Sequence, residues 1–96
     1  MRTRNKILDL AKEYLNDSEY QRGWIPARWT ERVSDELNLK NLSDDELADM
    51  WDMVYLTLNH MSSACRLNDE VDEYFKWSDV ESAFTEVVNI EARCRR

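Results

Sequence analysis

The segment from Leu42 to Met61 constrains the fold more than any other part of the chain. Its apolar residues recur at steps of three and four, the spacing of one side of an α-helix: Leu47, Met50, Trp51, Val54, Tyr55, Leu58 and Met61. The start of this helix is also encoded, because Ser43 can cap the first turn and Glu46 can bond back to the Ser43 amide as a capping box. The pattern predicts a central helix over about Asp44 to Ser62.

The rest of the chain favours the same class of structure. One Gly and one Pro among 96 residues leave few turns that require positive φ, which is typical of helices joined by short loops. No segment alternates apolar and polar residues as a strand does. We predict an all-α protein, a compact bundle of four to five short helices that forms a single domain over residues 1–96.

Two helices are predicted before the central one. The first runs from Arg4 to Leu15, and the second from Pro26 to about Leu37, where proline suits the first helical position. The residues expected on their inner faces are Ile7, Leu8, Ala11, Tyr14, Leu15, Trp29, Val33 and Leu37.

Two more helices are predicted after the central one. Asn68 can cap a short helix over Asp69 to Lys76, and Ser78 with Glu81 forms a second capping box that predicts a new helix start. The residues expected to point inward are Val71, Tyr74, Phe75, Val80, Ala83, Phe84, Val87, Val88 and Ile90.

Charge is distributed unevenly along the chain. The formal net charge is −7, made up of +1 over residues 1–40, −11 over residues 41–91 and +3 over residues 92–96. A strongly acidic half repels nucleic acid and anionic membrane, and it attracts basic partners. We therefore expect a basic protein partner, with no direct binding of nucleic acid and no membrane association.

The acidic half supplies the candidate partner-binding residues. Carboxylates on successive helical turns repeat every ~5.4 Å, a spacing of the same order as that of phosphates along a nucleic-acid strand. The first hypothesis is therefore a small acidic interaction protein that binds and blocks a basic, nucleic-acid-binding surface as a nucleic-acid mimic. The candidate residues are Asp45, Asp49, Asp52, Asp69, Glu70, Asp72, Glu73, Asp79 and Glu86.

An alternative set lies in the one segment rich in both arginine and tryptophan. Arg22, Arg28 and Arg32 with Trp24 or Trp29 could meet phosphates and bases, as in a small nucleic-acid-binding regulator. The opposing interpretation places Trp24 and Trp29 in the core. Arg28 and Arg32 would then pair with acidic neighbours on their own helix, namely Glu31, Asp35 and Glu36.

Catalysis and metal binding have little support in the sequence. His60 is the sole histidine, no Gly-rich phosphate loop or nucleophile motif is present, and Cys65 and Cys94 lack the paired spacing of zinc sites. We expect no enzyme activity, no cofactor and no metal. Two cysteines in a chain without a secretory signal pattern favour free thiols and a cytoplasmic location.

In size, acidity and helical content the chain resembles small phage-encoded inhibitors of host defence or transcription. This resemblance implies a viral inhibitor, and it assigns no individual residue. A third hypothesis is a helical self-assembling structural protein, because a long apolar stripe also suits a homodimer.

Overall fold

The computed structural model describes residues 2–95 and shows four helices in that range. Helix α1 spans Arg2–Leu15, α2 spans Ala27–Glu36, α3 spans Asp44–Leu67 and α4 spans Val71–Cys94. A 3₁₀ turn at Leu39–Asn41 precedes α3, and residues 2–95 form no β-sheet. The prediction of a single packed, all-α domain is confirmed.

Helix α3 begins as the capping box predicts. The Glu46 amide donates to Ser43 Oγ at 3.1 Å, and the Ser43 amide donates to Glu46 Oε1 at 2.8 Å. The helix continues to Leu67, beyond the predicted end near Ser62, because Ser62 and Cys65 are still buried against the core. Burial therefore extends the helix past the last residue of the apolar stripe.

The prediction of two separate helices after α3 is wrong. Residues 71–94 form one continuous helix, and Ser78 lies in its interior rather than at a helix start. Trp77 and Val80, on either side of the predicted break, are both buried in the core. Packing along α3 therefore stabilises a continuous helix where the local sequence also matched a capping box.

The turn between α3 and α4 also differs from the prediction. Asn68 does not cap α4; residue Glu70 precedes the helix and makes no side-chain cap. Asp69 adopts a left-handed backbone with φ of 58°, and the Glu70 amide donates to the Cys65 carbonyl at 2.9 Å. Asp tolerates this conformation better than most residues, so the chain turns here without a glycine.

Helices α3 and α4 form an antiparallel hairpin, and they share the largest interface in the structure. Its open end is closed by Arg95 Nη1, which donates to Asp44 Oδ1 at 3.0 Å. Helices α1 and α2 pack on the hairpin, and Tyr14, Trp29 and Phe84 meet in a buried aromatic cluster. The fully buried side chains also include Ile7, Val33, Leu39, Val54, Leu58, Val80, Val87 and Val88.

Three expected core positions are more exposed than predicted. Val71 and Phe75 are 59% and 43% exposed, and Trp51 is only partly buried and stacks on Tyr55 with ring centroids 5.4 Å apart. For Val71 and Phe75, near the α3–α4 turn, the reason is helix length. At ~1.5 Å per residue, the 24-residue hairpin helices are about 36 Å long, whereas α1 with 14 residues spans about 21 Å and cannot cover them fully.

Candidate partner-binding surfaces

The outer face of α3 carries an exposed group of carboxylates beside exposed apolar side chains. We call the surface formed by Asp45, Asp49, Asp52, Met53 and Leu56 the α3 face, and all five residues are exposed. Their spacing places them on one side of the helix, opposite the buried Val54 and Leu58. The α3 face therefore combines negative charge with apolar area that solvent can reach.

The carboxylates of the α3 face form none of the salt bridges found in the described part of the chain, although Arg4 stands across a cleft from Asp49 and Asp52. Residues 41–65 also contain no Lys or Arg. A cleft of about 510 Å³ runs between this face and the start of α1, where Thr3 and Arg4 form its other wall.

A second acidic group lies at the far end of the hairpin. Four carboxylates at the α3–α4 turn are all exposed: Asp69, Glu70, Asp72 and Glu73. The only ion pair described there joins Glu73 to Lys76 at 3.6 Å. The intervening helix places this group about 36 Å from Asp45. The predicted acidic residues thus form two separate patches rather than one continuous face.

Asp79 has a structural role in the fold. Its carboxylate accepts hydrogen bonds from Tyr20 Oη at 2.9 Å and from the Gly23 amide at 2.8 Å. These contacts hold the loop before α2 against α4. Burial, and then the bond to Asp79, raise the pKa of Tyr20 well above its ordinary value. The Tyr20 phenol therefore stays neutral and donates a hydrogen bond to Asp79.

Glu86 also has an internal partner. Its Oε2 accepts from Arg93 Nη2 at 2.6 Å, seven residues along the same helix. The Arg93 side chain holds the pKa of this carboxyl below its ordinary value. Glu86 stays ionised at neutral pH, and its pair with Arg93 is open to solvent, since both side chains are about half exposed.

The alternative arginine and tryptophan site is engaged in internal contacts. Arg28 pairs with Asp17 and Glu19 at 2.8 and 2.6 Å, and Arg32 pairs with Glu13 at 2.7 Å. The prediction of partners on the same helix is wrong, because these carboxylates come from α1 and the loop that follows it. Trp29 is buried as the opposing interpretation expects.

Asp17 organises the contacts of this loop. It accepts from Arg28 Nη2 at 2.8 Å, from Trp29 Nε1 at 3.1 Å and from the Glu19 amide at 2.8 Å. The bonds from Arg28 and then from the Glu19 amide lower the pKa of Asp17 to about 2. The Asp17 carboxylate therefore binds the loop to α2, and it remains ionised over a wide pH range.

Arg22 and Trp24 lie outside that network. The Arg22 guanidinium stands 4.9 Å from the centroid of the Phe75 ring, a cation–π contact. Trp24 is 56% exposed, so the interpretation that places it in the core is wrong. The hypothesis that Trp24 or Trp29 could meet phosphates and bases therefore has an exposed tryptophan only at Trp24.

The chemically reactive residues are dispersed. His60 is exposed on α3, Cys65 is buried, Cys94 is exposed, and both cysteines are free thiols. Over residues 2–95, no three His, Cys, Asp or Glu side chains come together in a way that could hold a metal ion. The same residues include no helix long and apolar enough to cross a membrane.

Comparison with protein-family models, with curated proteins and with solved structures finds no match to this chain.

Proposed function

We propose that this protein is a non-catalytic binding protein that captures and blocks a basic surface of another protein through the α3 face. The observation that carries the proposal is the exposure of Asp45, Asp49 and Asp52, without an ion-pair partner among the described residues, beside exposed Met53 and Leu56. A solvated acidic helix would not require adjacent apolar side chains. Their combination is typical of a surface that binds an amphipathic basic segment.

The two components of the α3 face have different tasks. Carboxylates attract a basic partner over long range and raise the association rate, but exposed ion pairs add little affinity. Apolar contact supplies most of the affinity once the surfaces meet. Leu56 is 60% exposed and Met53 is 41% exposed, so both can lose water-accessible area on binding.

Nucleic-acid-binding proteins are the basic partners that fit this surface best. Their phosphate-binding grooves carry rows of Lys and Arg. Asp45 and Asp52 are separated by about 10 Å along the helix axis, with Asp49 between them. A rigid row of negative charges at that spacing can occupy a phosphate-binding groove, and the resemblance to phage-encoded inhibitors of host defence or transcription supports the same role.

The proposal is tested with a labelled helical peptide that carries Lys on one side and Leu on the other. Fluorescence anisotropy measures its binding at low and high salt. One triple variant changes Asp45, Asp49 and Asp52 to Asn. A matched control changes three exposed carboxylates on α1 and α2 instead: Asp9→Asn, Glu31→Gln and Asp35→Asn. Both variants raise the formal net charge from −7 to −4.

The proposal predicts a different result for the two variants. Neutralising the α3 face weakens binding and flattens its salt dependence, whereas the control retains most of the affinity because its carboxylates lie elsewhere. Equal weakening by both variants would mean that net charge alone attracts the peptide. That result would contradict a binding site on α3.

One observation favours self-assembly as a second candidate. Leu67, like Met53 and Leu56, is exposed on the outer side of α3, so a second copy could cover the same surface. Sedimentation over a range of concentrations separates the two functions. Self-assembly predicts a dimer that Leu56→Glu dissociates, whereas the proposed capture of a basic partner requires no dimer.

A further inference from the structure

Trp24 is an exposed aromatic side chain on an unusually well-fixed backbone. Its amide donates to the Gln21 carbonyl at 3.3 Å, and its carbonyl accepts from Tyr14 Oη at 3.0 Å. The preceding residue, Gly23, has φ of 85° and donates its amide to Asp79 at 2.8 Å. Side chains from α1 and α4 thus fix a turn whose own indole is more than half exposed.

Exposing an indole on a rigid turn costs free energy, and a binding role would account for that cost. A fully buried tyrosine and the only glycine of the chain both serve this turn. A pre-ordered tryptophan loses little conformational freedom on binding, and tryptophan is enriched among residues that dominate interface energies. The structure therefore points to Trp24 as an anchor.

A small cleft adjoins the indole. It has a volume of about 190 Å³ and is lined by Trp24 and Ile25 from the loop and by one side of α4. The α4 side carries Asp79, Ser82 and Glu86, with Ala83 among them. We call this space the Trp24 cleft; it lies on α4, away from the α3 face.

The chemistry of the Trp24 cleft selects a cation with an aliphatic stem. Asp79 and Glu86 place negative charge on one side, and an indole face attracts cations. The molecule already shows both contacts nearby, since Arg93 binds Glu86 and Arg22 stands against Phe75, one turn before Asp79. Ile25 and Ala83 can cover the methylene groups of a long side chain.

We propose that the Trp24 cleft receives an arginine or lysine side chain from the basic partner. The indole of Trp24 and the carboxylates of Asp79 and Glu86 contact the cationic group, while Ile25 and Ala83 pack against its stem. This inference rests on the proposed function only in that the partner is basic. It adds a second contact point, on a different helix from the α3 face.

Nuclear magnetic resonance titration tests the proposal directly, because each amide and indole reports its own contacts. The probes are N-acetyl-arginine amide and its neutral isostere, N-acetyl-citrulline amide. The arginine probe is expected to shift the Trp24 indole and the amides of Gly23, Ser82 and Ala83 in a saturable way. Citrulline is expected to bind about tenfold more weakly, because it lacks the charge.

Two variants assign the shifts to the cleft, and a third serves as the control. Trp24→Ala removes the indole, and Ser82→Leu fills the cleft without altering the turn, so the test does not depend on one variant folding. Both are expected to weaken arginine binding by about tenfold. Leu67→Ala, at an exposed apolar position on α3, is expected to leave binding unchanged.

Three results would overturn the inference: no shift at the cleft, equal shifts from citrulline, or arginine shifts that persist in both cleft variants. Failure of the proposed function is recognised separately. It would appear as equal effects of the α3-face variant and its control on the Lys and Leu peptide, whatever the small probes do at the cleft.

Discussion

Two serine-to-alanine variants test whether α4 is one helix. Ser43 and Ser78 each precede a glutamate by three residues, so local sequence predicts a capping box at both. In the structure only Ser43 occupies a helix start, where it exchanges two hydrogen bonds with Glu46. Ser78 lies eight positions inside α4, measured from Glu70 before the helix.

The two substitutions are expected to change the stability of the protein in opposite directions. Ser43→Ala removes the acceptor for the Glu46 amide and should lower the free energy of unfolding by ~1 kcal/mol. For a domain of this size that corresponds to a fall of about 4–8 °C in melting temperature. Ser78→Ala leaves every backbone bond of α4 intact, and the better helix propensity of alanine should raise stability by up to about 0.5 kcal/mol.

Urea unfolding followed by circular dichroism measures both changes. Ser63→Ala, at an exposed position inside α3, is the matched control for the same substitution within a helix. A loss for Ser78→Ala as large as that for Ser43→Ala would show that Ser78 caps a helix start. The reasoning that packing on α3 makes α4 continuous would then be refuted.

Three further predictions concern stability and specificity. The pKa of Asp17 falls from 3.8 in the unfolded chain to about 2 in the folded protein, so its contacts contribute stability above pH 4 that is lost as the pH falls towards 2. In acid-unfolding curves, the difference in stability between wild type and Asp17→Asn should therefore narrow over that range. In chemical denaturation, Phe84→Ala at a fully buried position should lower the free energy of unfolding by about 3–5 kcal/mol. Trp51→Ala should lower it clearly less, since Trp51 is partly exposed, and the reverse order would contradict the assigned core. The protein should not retard DNA or RNA in a gel-shift assay. Retardation that Arg28→Glu and Arg32→Glu abolish would favour the hypothesis of a nucleic-acid-binding regulator instead.

Sequence alone predicted most of the fold because local signals and packing agree in its first two thirds. The Ser43 capping box, the apolar stripe of α3 and the proline before α2 all correspond to the structure. The α3–α4 turn was mispredicted because Asn68 and Asp69 both suit an N-cap, and only tertiary contacts decide where the helix begins. Asp69 turns the chain through a conformation that composition does not reveal.

The candidate binding surfaces were only partly predictable. Helical spacing places Asp45, Asp49 and Asp52 on one side of α3, and all three are exposed there. The same reasoning could not see that Asp79 binds Tyr20 and Gly23, because those residues lie 59 and 56 positions away in the sequence. The exposure of Trp24 likewise depends on how the loop packs against α4.

The most direct test of the central claim is a nuclear magnetic resonance footprint of the Lys and Leu peptide on the folded protein. Binding through the α3 face predicts amide shifts that cluster on the outer side of α3 around Asp49, Met53 and Leu56, with a weaker set at the Trp24 cleft. These shifts should diminish as salt rises, since screening limits charge attraction to about 8 Å at physiological ionic strength. Shifts spread over every acidic surface, or confined to α1 and α2, would contradict a binding site on α3.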